Sequence, residues 1–142
     1  MEDFKDILKE LINEQGLSLR KLAENSKVSA NQYSKYLKGS FPSIKVAIRI
    51  AQYFKCSLDY LFGLSNEKVC KNYREFSLQI FIEKYLKLLD KNNITHYKFA
   101  QENNLSESCL RHWKYGDIPK TETLFIIASK LYSSIDYLIG LD

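Results

Sequence analysis

The chain has 142 residues, 45% of them hydrophobic, and a net charge of +4 from 21 basic and 17 acidic side chains. Five glycines and two prolines make up roughly 5% of it, against about 12% in ordinary proteins, too few turn-formers for the hairpins of a β-sandwich or barrel. The apolar content excludes a disordered tail, no apolar run approaches the ~20 residues of a membrane span, and the acidic start Met1-Glu2-Asp3 is unlike a signal peptide. Short helices in a soluble, cytoplasmic protein are the expectation. Cys56, Cys70 and Cys109 form neither an even set nor a CxxC pair, so they read as reduced thiols and not as a disulfide or zinc framework.

The first predicted helix carries Phe4, Ile7, Leu8, Leu11 and Ile12 at i, i+3, i+4, i+7 and i+8, one amphipathic stripe that ends at Gly16. Ser18 opens a short second helix through Leu22 and Ala23, and a tight turn follows at Ser26 to Val28. Ser29 opens the third, where Gln32 completes a capping box, and Gly39 stops it after Lys38. Beyond Ser40-Phe41-Pro42, Ser43 opens a fourth helix with Val46, Ala47, Ile50, Ala51 and Phe54 facing inward. Ser57 opens a short fifth with Leu58, Leu61 and Phe62, closed by Gly63. Residues 66–78 hold no Gly or Pro, and Tyr73, Phe76 and Ile80 at helical spacing predict an ordered helical connector.

The pattern then returns. At an offset of 77, Phe4 falls on Phe81, Leu11 on Leu88, Ala23 on Ala100, Ser29 on Ser106, Gly39 on Gly116 and Pro42 on Pro119. Ser57-Leu58-Asp59-Tyr60-Leu61 falls on Ser134-Ile135-Asp136-Tyr137-Leu138, and the register needs no gap, with about a quarter of the positions identical. Gly16 falls on Asn93, the other residue that tolerates a left-handed helix end. Thr95, Ser106, Thr121 and Ser134 are the expected caps of the second copy. The chain thus reads as all-α, two tandem five-helix domains at residues 1–65 and 79–142.

Two short helices joined by a tight turn make a helix-turn-helix, with small Ala23 and Ala100 at the crossing and Val28 and Leu105 plugging the turn. Tyr33 and Tyr36, or Leu110 and Trp113, supply the inward face of the third helix. The stretches Ser18-Leu-Arg-Lys-Leu-Ala-Glu-Asn-Ser-Lys-Val-Ser, Lys38-Gly-Ser-Phe-Pro-Ser and Cys56-Ser-Leu-Asp-Tyr-Leu-Phe-Gly resemble the Cro/cI-type, lambda-repressor-like helix-turn-helix family. So do Trp113-Lys-Tyr-Gly-Asp-Ile-Pro and Ser134-Ile-Asp-Tyr-Leu-Ile-Gly of the second copy. The resemblance implies five-helix domains whose third helix enters the DNA major groove, usually as a dimer on a two-fold operator. Lys27 and Asn104 stand where the family commonly has a turn glycine, so the first turn is expected to be slightly altered.

Matched to the family, the base-reading positions of the first copy are Ala30, Asn31, Gln32, Ser34 and Lys35, and the phosphate-contacting ones Ser18, Arg20, Lys38, Ser40 and Ser43. Asn and Gln can bond adenine bidentately, Lys can reach guanine, and Ala can touch a thymine methyl. Arg20, Lys21, Lys27, Lys35, Lys38 and Lys45 face one acid, Glu24, a net +5 between Ser18 and Lys45 that suits phosphate. The second copy offers Glu107, Ser108, Cys109, Arg111, His112 and Lys114 on a stretch, Thr95 to Glu122, with no net charge. There DNA reading competes with dimerisation or a partner surface.

No phosphate loop, HExxH or nucleophile elbow occurs, which points away from an enzyme. Cys109 and His112 at i and i+3 are two metal ligands without two more, so they read as lining an exposed helix, and no metal or cofactor is expected. The ten tyrosines and eight phenylalanines mostly take inward positions as core, with Phe41 a surface aromatic. The expected function is a sequence-specific regulator of transcription, a repressor, binding double-stranded DNA as a homodimer. The alternative is a protein-interaction module, an antitoxin or a regulator's partner, with secondary or lost DNA binding.

Overall fold

A computed structural model describes residues 2–69 and 71–141, with side chains from Phe4 onward; Cys70, expected as a reduced thiol, lies outside the described residues. Among them the chain forms ten helices and no strand. It divides into two compact units, Met1–Glu75 and Phe76–Asp142. The first holds α1 (Glu2–Gln15), α2 (Leu19–Ser26), α3 (Ala30–Leu37), α4 (Ile44–Phe54) and α5 (Leu58–Leu61). The second holds α6 (Leu78–Lys91), α7 (His96–Glu102), α8 (Cys109–Lys114), α9 (Thr121–Lys130) and α10 (Ile135–Leu138). No described helix is long and apolar enough to cross a membrane.

Helix starts follow side-chain chemistry. The hydroxyls of Ser18, Ser29, Ser43, Ser57, Thr95 and Ser134 each accept from the backbone N–H three residues on, satisfying a donor that the first turn leaves unpaired. Ser77 does the same for α6, a cap that the expected connector helix concealed. Two expected caps fail. The residue preceding α9 is Lys120, which has no acceptor to offer, and Thr121 is the first helical residue, buried. Ser106 accepts from Ser108 N at 3.3 Å, and α8 begins only at Cys109.

Helix ends follow the left-handed conformation. Ten described residues have positive φ, and they form five pairs 77 residues apart: Gly16 and Asn93, Lys27 and Asn104, Gly39 and Gly116, Lys55 and Tyr132, Gly63 and Gly140. In three of these pairs at least one member is neither Gly nor Asn, or the two differ in type, so the chain reverses at the same places with different side chains. Gly140 needs its missing Cβ for a second reason, since one would lie 2.8 Å from Ile80 Cγ2.

The first core is closed by Phe4, which stacks on Phe62 at 5.1 Å and meets Tyr36 edge-on at 6.2 Å. Phe41 tilts against the same ring at 5.8 Å and is half-buried, so it is a lid on the core and not the surface aromatic expected. In the second core Trp113 meets Phe81 at 5.0 Å and Tyr85 at 5.5 Å, both edge-on, while Leu110 is only half-buried.

The connector is not helical. Described residues between Leu64 and Ser77 carry no helix. Buried Tyr73 accepts from Leu58 N at 2.8 Å and donates to Cys56 O at 3.2 Å, while Gln52 Nε2 donates to Tyr73 O at 3.1 Å. Phe76 packs instead on Phe81, at 6.2 Å. The helical spacing of Tyr73 and Phe76 therefore marks two anchors, one in each unit, and not one face of a helix.

Candidate nucleic-acid interface

The helix pair of the first unit is fixed by a buried relay. Tyr33 on α3 donates its hydroxyl to Ser26 Oγ at 2.6 Å, and Ser26 donates to Leu22 O at 2.8 Å. Burial pushes the Tyr33 hydroxyl above its ordinary pKa, so it stays a donor. The turn between α2 and α3 passes through Lys27 at φ 61, whose N–H bonds Ala23 O at 3.0 Å. Asn104 takes φ 56 at the matching place. The expected alteration of the first turn is absent: Lys27 accepts the left-handed strain, about 1–2 kcal/mol, to keep the geometry.

On this frame Asn31 and Lys35 are exposed on α3, with Ala30 and Ser34 half-buried beside them. Gln32 is tied down. Its Oε1 accepts from Ser29 N at 3.0 Å in the capping box, and its side chain also bonds the Tyr36 hydroxyl. Both contacts orient the start of α3, and a base contact by Gln32 competes with them. The cap was visible in the sequence; the Tyr36 contact was not, because it needs the i, i+4 geometry of the folded helix.

Phosphate-facing candidates surround this helix. Arg20 and Lys38 are exposed, Arg20 with a side chain 91% accessible. Glu24 holds Arg20 Nε at 3.9 Å and Lys21 Nζ at 3.7 Å, long, exposed pairs that a phosphate can displace. Ser18 and Ser43 accept with Oγ in their helix caps, a role that does not use the O–H as a donor. Ser40, exposed after α3, is held by its N–H on Lys35 O at 3.1 Å.

The second unit departs at the same place. Cys109 stands where Gln32 does and cannot close a capping box, so Glu107 and Ser108 lie in a turn before α8 and not on it. His96 takes over that turn: its Nε2 donates to Glu107 O at 3.0 Å, and its Nδ1 accepts from Tyr85 Oη at 2.7 Å. Because a carbonyl only accepts, Nε2 carries the proton. Burial pushes the Tyr85 hydroxyl well above the ordinary phenol range. Cys109 turns inward, 3.9 Å from His96 Nε2, and burial raises its thiol, whereas His112 is exposed. The two do not face each other, contrary to the helix-lining expectation for Cys109. Among the described residues no group of three His, Cys, Asp or Glu could hold a metal ion. Glu107, Arg111, His112 and Lys114 are exposed, and Ser108 is half-buried.

A family model described as Helix-turn-helix matches residues 8–61, which run from the middle of α1 to the end of α5 in the first unit. Curated proteins and solved structures give no match. The matched segment contains the relay, the Lys27 turn and every candidate contact of the first unit. Over residues 8–61 the first unit is thus a helix-turn-helix of the Cro/cI type.

Proposed function

We propose that the chain is a sequence-specific regulator of transcription that reads double-stranded DNA in the major groove with α3, and that it acts as a repressor. The observation that carries this is the exposed, one-signed surface around α3: six cations against Glu24, with Asn31 and Lys35 at its centre. Lys35 and Asn31 read bases, aided by Ala30 and Ser34, while Ser18, Arg20, Lys38, Ser40 and Ser43 hold phosphates. A compact head on a promoter blocks access without further machinery, hence repression.

The second unit is proposed as a diverged copy of the first. The five positive-φ pairs at one offset and the matching caps support this. A single head touching three or four phosphates binds weakly at cellular salt, because affinity falls with a slope of about 0.9 per phosphate. Two heads about 34–36 Å apart on a two-fold site overcome that weakness, so the working form is a homodimer with the first unit of each protomer on DNA. A second reading, a protein-interaction module, is favoured by one observation: the neutral, tyrosine-bearing head of the second unit.

Selection of duplexes from a random library, followed by anisotropy titration, tests the function. Enrichment of a two-fold site, lost in Lys35→Ala, is expected. Binding without any sequence preference refutes it.

A further inference from the structure

Large exposed apolar side chains are unevenly distributed. Among the described residues they are Val69, Leu86, Tyr97, Tyr115, Ile118 and Tyr132, so none lies in α1 to α5. At the 77-residue offset, four of the five in the second unit stand where the first unit has a cation: Leu86 for Lys9, Tyr97 for Arg20, Tyr115 for Lys38 and Tyr132 for Lys55. Scattered exposed hydrophobics are ordinary; their coincidence with lost cations is not. Tyr97 and Tyr115 matter most, since Arg20 and Lys38 are the phosphate candidates of the first head.

These two tyrosines bracket α8. His96, next to Tyr97, bonds Glu107 O at 3.0 Å and so brings the start of α7 to the start of α8. Tyr115 caps the other end of α8, 83% exposed, with Asp117 N returning to His112 O at 3.0 Å. A face with a phenol ring at each end, in place of two phosphate anchors, has exchanged counterion release for apolar contact. Tyrosine is the side chain that protein interfaces favour, and lysine is depleted there.

Charge selects the partner. A two-fold contact sets each residue of a face against the same face of the other copy, so that face must complement itself. The first head, at +5, repels its own copy. The second has no net charge between Thr95 and Glu122, with Glu107 and Asp117 interleaved with Arg111 and Lys114. We propose that the Tyr97–α8–Tyr115 face is the surface by which two copies of this chain pair, leaving both α3 helices to DNA. The proposal rests on the homodimer reading above and gives it a location.

The full chain is tested by sedimentation equilibrium without DNA. The double variant Tyr97→Arg, Tyr115→Lys restores the first unit's cations, and thermal melting checks its fold. Tyr97→Ser with Tyr115→Ser removes the rings without adding charge and serves if the first pair fails to fold. The wild type is expected to be dimeric at micromolar concentration, with dissociation shifted at least about 30-fold in either double variant. Tyr132→Lys, an equally exposed ring at the end of α9, should behave as wild type. A monomeric wild type, a double variant that dimerises like wild type, or dissociation by Tyr132→Lys instead overturns the assignment. Binding to a duplex carrying one half-site is scored separately at low salt, where a single head suffices; its absence refutes DNA reading and leaves the face standing.

Discussion

The most direct consequence of the first head's geometry is a change in salt dependence. Arg20 is almost fully exposed and held only by Glu24 at 3.9 Å, and Lys38 is exposed at the end of α3. Each, on the proposed reading, neutralises one phosphate. Replacing both by alanine therefore lowers the slope of log affinity against log salt by about 1.8 per head, or about 3.6 for a dimer with both heads bound. Between about 50 and 200 mM salt that difference amounts to about 150-fold: the variant binds more weakly at low salt but loses that much less on salt addition. Anisotropy titrations at four salt concentrations, on the selected duplex and on a scrambled one, measure it. Sequence preference should survive, because phosphate contacts carry no base information. An unchanged slope refutes the phosphate assignment. A lost preference with an unchanged slope places these side chains on bases instead.

Four further outcomes follow from particular contacts. Asn31→Ala or Lys35→Ala should cost about 1–3 kcal/mol on the selected site alone, whereas Gln32→Ala should lower the melting temperature too, because it opens the capping box, worth about 1 kcal/mol. Lys27→Gly should stabilise by up to about 1 kcal/mol in chemical denaturation, since glycine removes left-handed strain that exceeds its own entropy cost. Stability should fall above about pH 10: burial raises the Tyr33 and Tyr85 pKa values above that of the unfolded chain, so the folded state keeps protons that the unfolded state has lost; Tyr33→Phe should cost about 1 kcal/mol and remove its share of this decline. Cys109→Gln should extend α8 back toward Glu107 by completing a box with Ser106, seen as added helical amide shifts in nuclear magnetic resonance.

Most of the helical plan was legible because it is local. A serine with its partner amide three residues on, or a glycine that alone enters positive φ cheaply, acts within one turn and needs no tertiary context. Lys55 and Tyr132, at φ 54 and 56, carry no such local mark, because neither residue type favours that conformation. Thr121 was misplaced for a related reason. A threonine beside a helix start looks like a cap, but burial made it the first helical residue and left Lys120 outside. The connector failed on distance. Tyr73 satisfies Leu58 N and Cys56 O, groups 15 and 17 residues earlier, and no local periodicity reports such a debt to another element.

The site was legible in its residue types and less so in their employment. Asn31 and Lys35 stand exposed where the helix pattern put them, while Gln32, the other side chain of the set able to bond adenine bidentately, is engaged at both Oε1 and the Tyr36 hydroxyl. In the second unit the difference between a reading helix and something else begins at one position. With Cys109 in place of Gln32 the box cannot close, and the carbonyl of Glu107 goes to His96. A helix reads DNA with the residues of its first turns. Glu107 and Ser108 lie before α8, so the second head lacks that turn, and with Tyr97 and Tyr115 it lacks the matching phosphate anchors as well. On the proposed reading, the second head gives up helix start, cations and net charge together in favour of a protein partner, and none of the three changes costs the unit its core around Trp113.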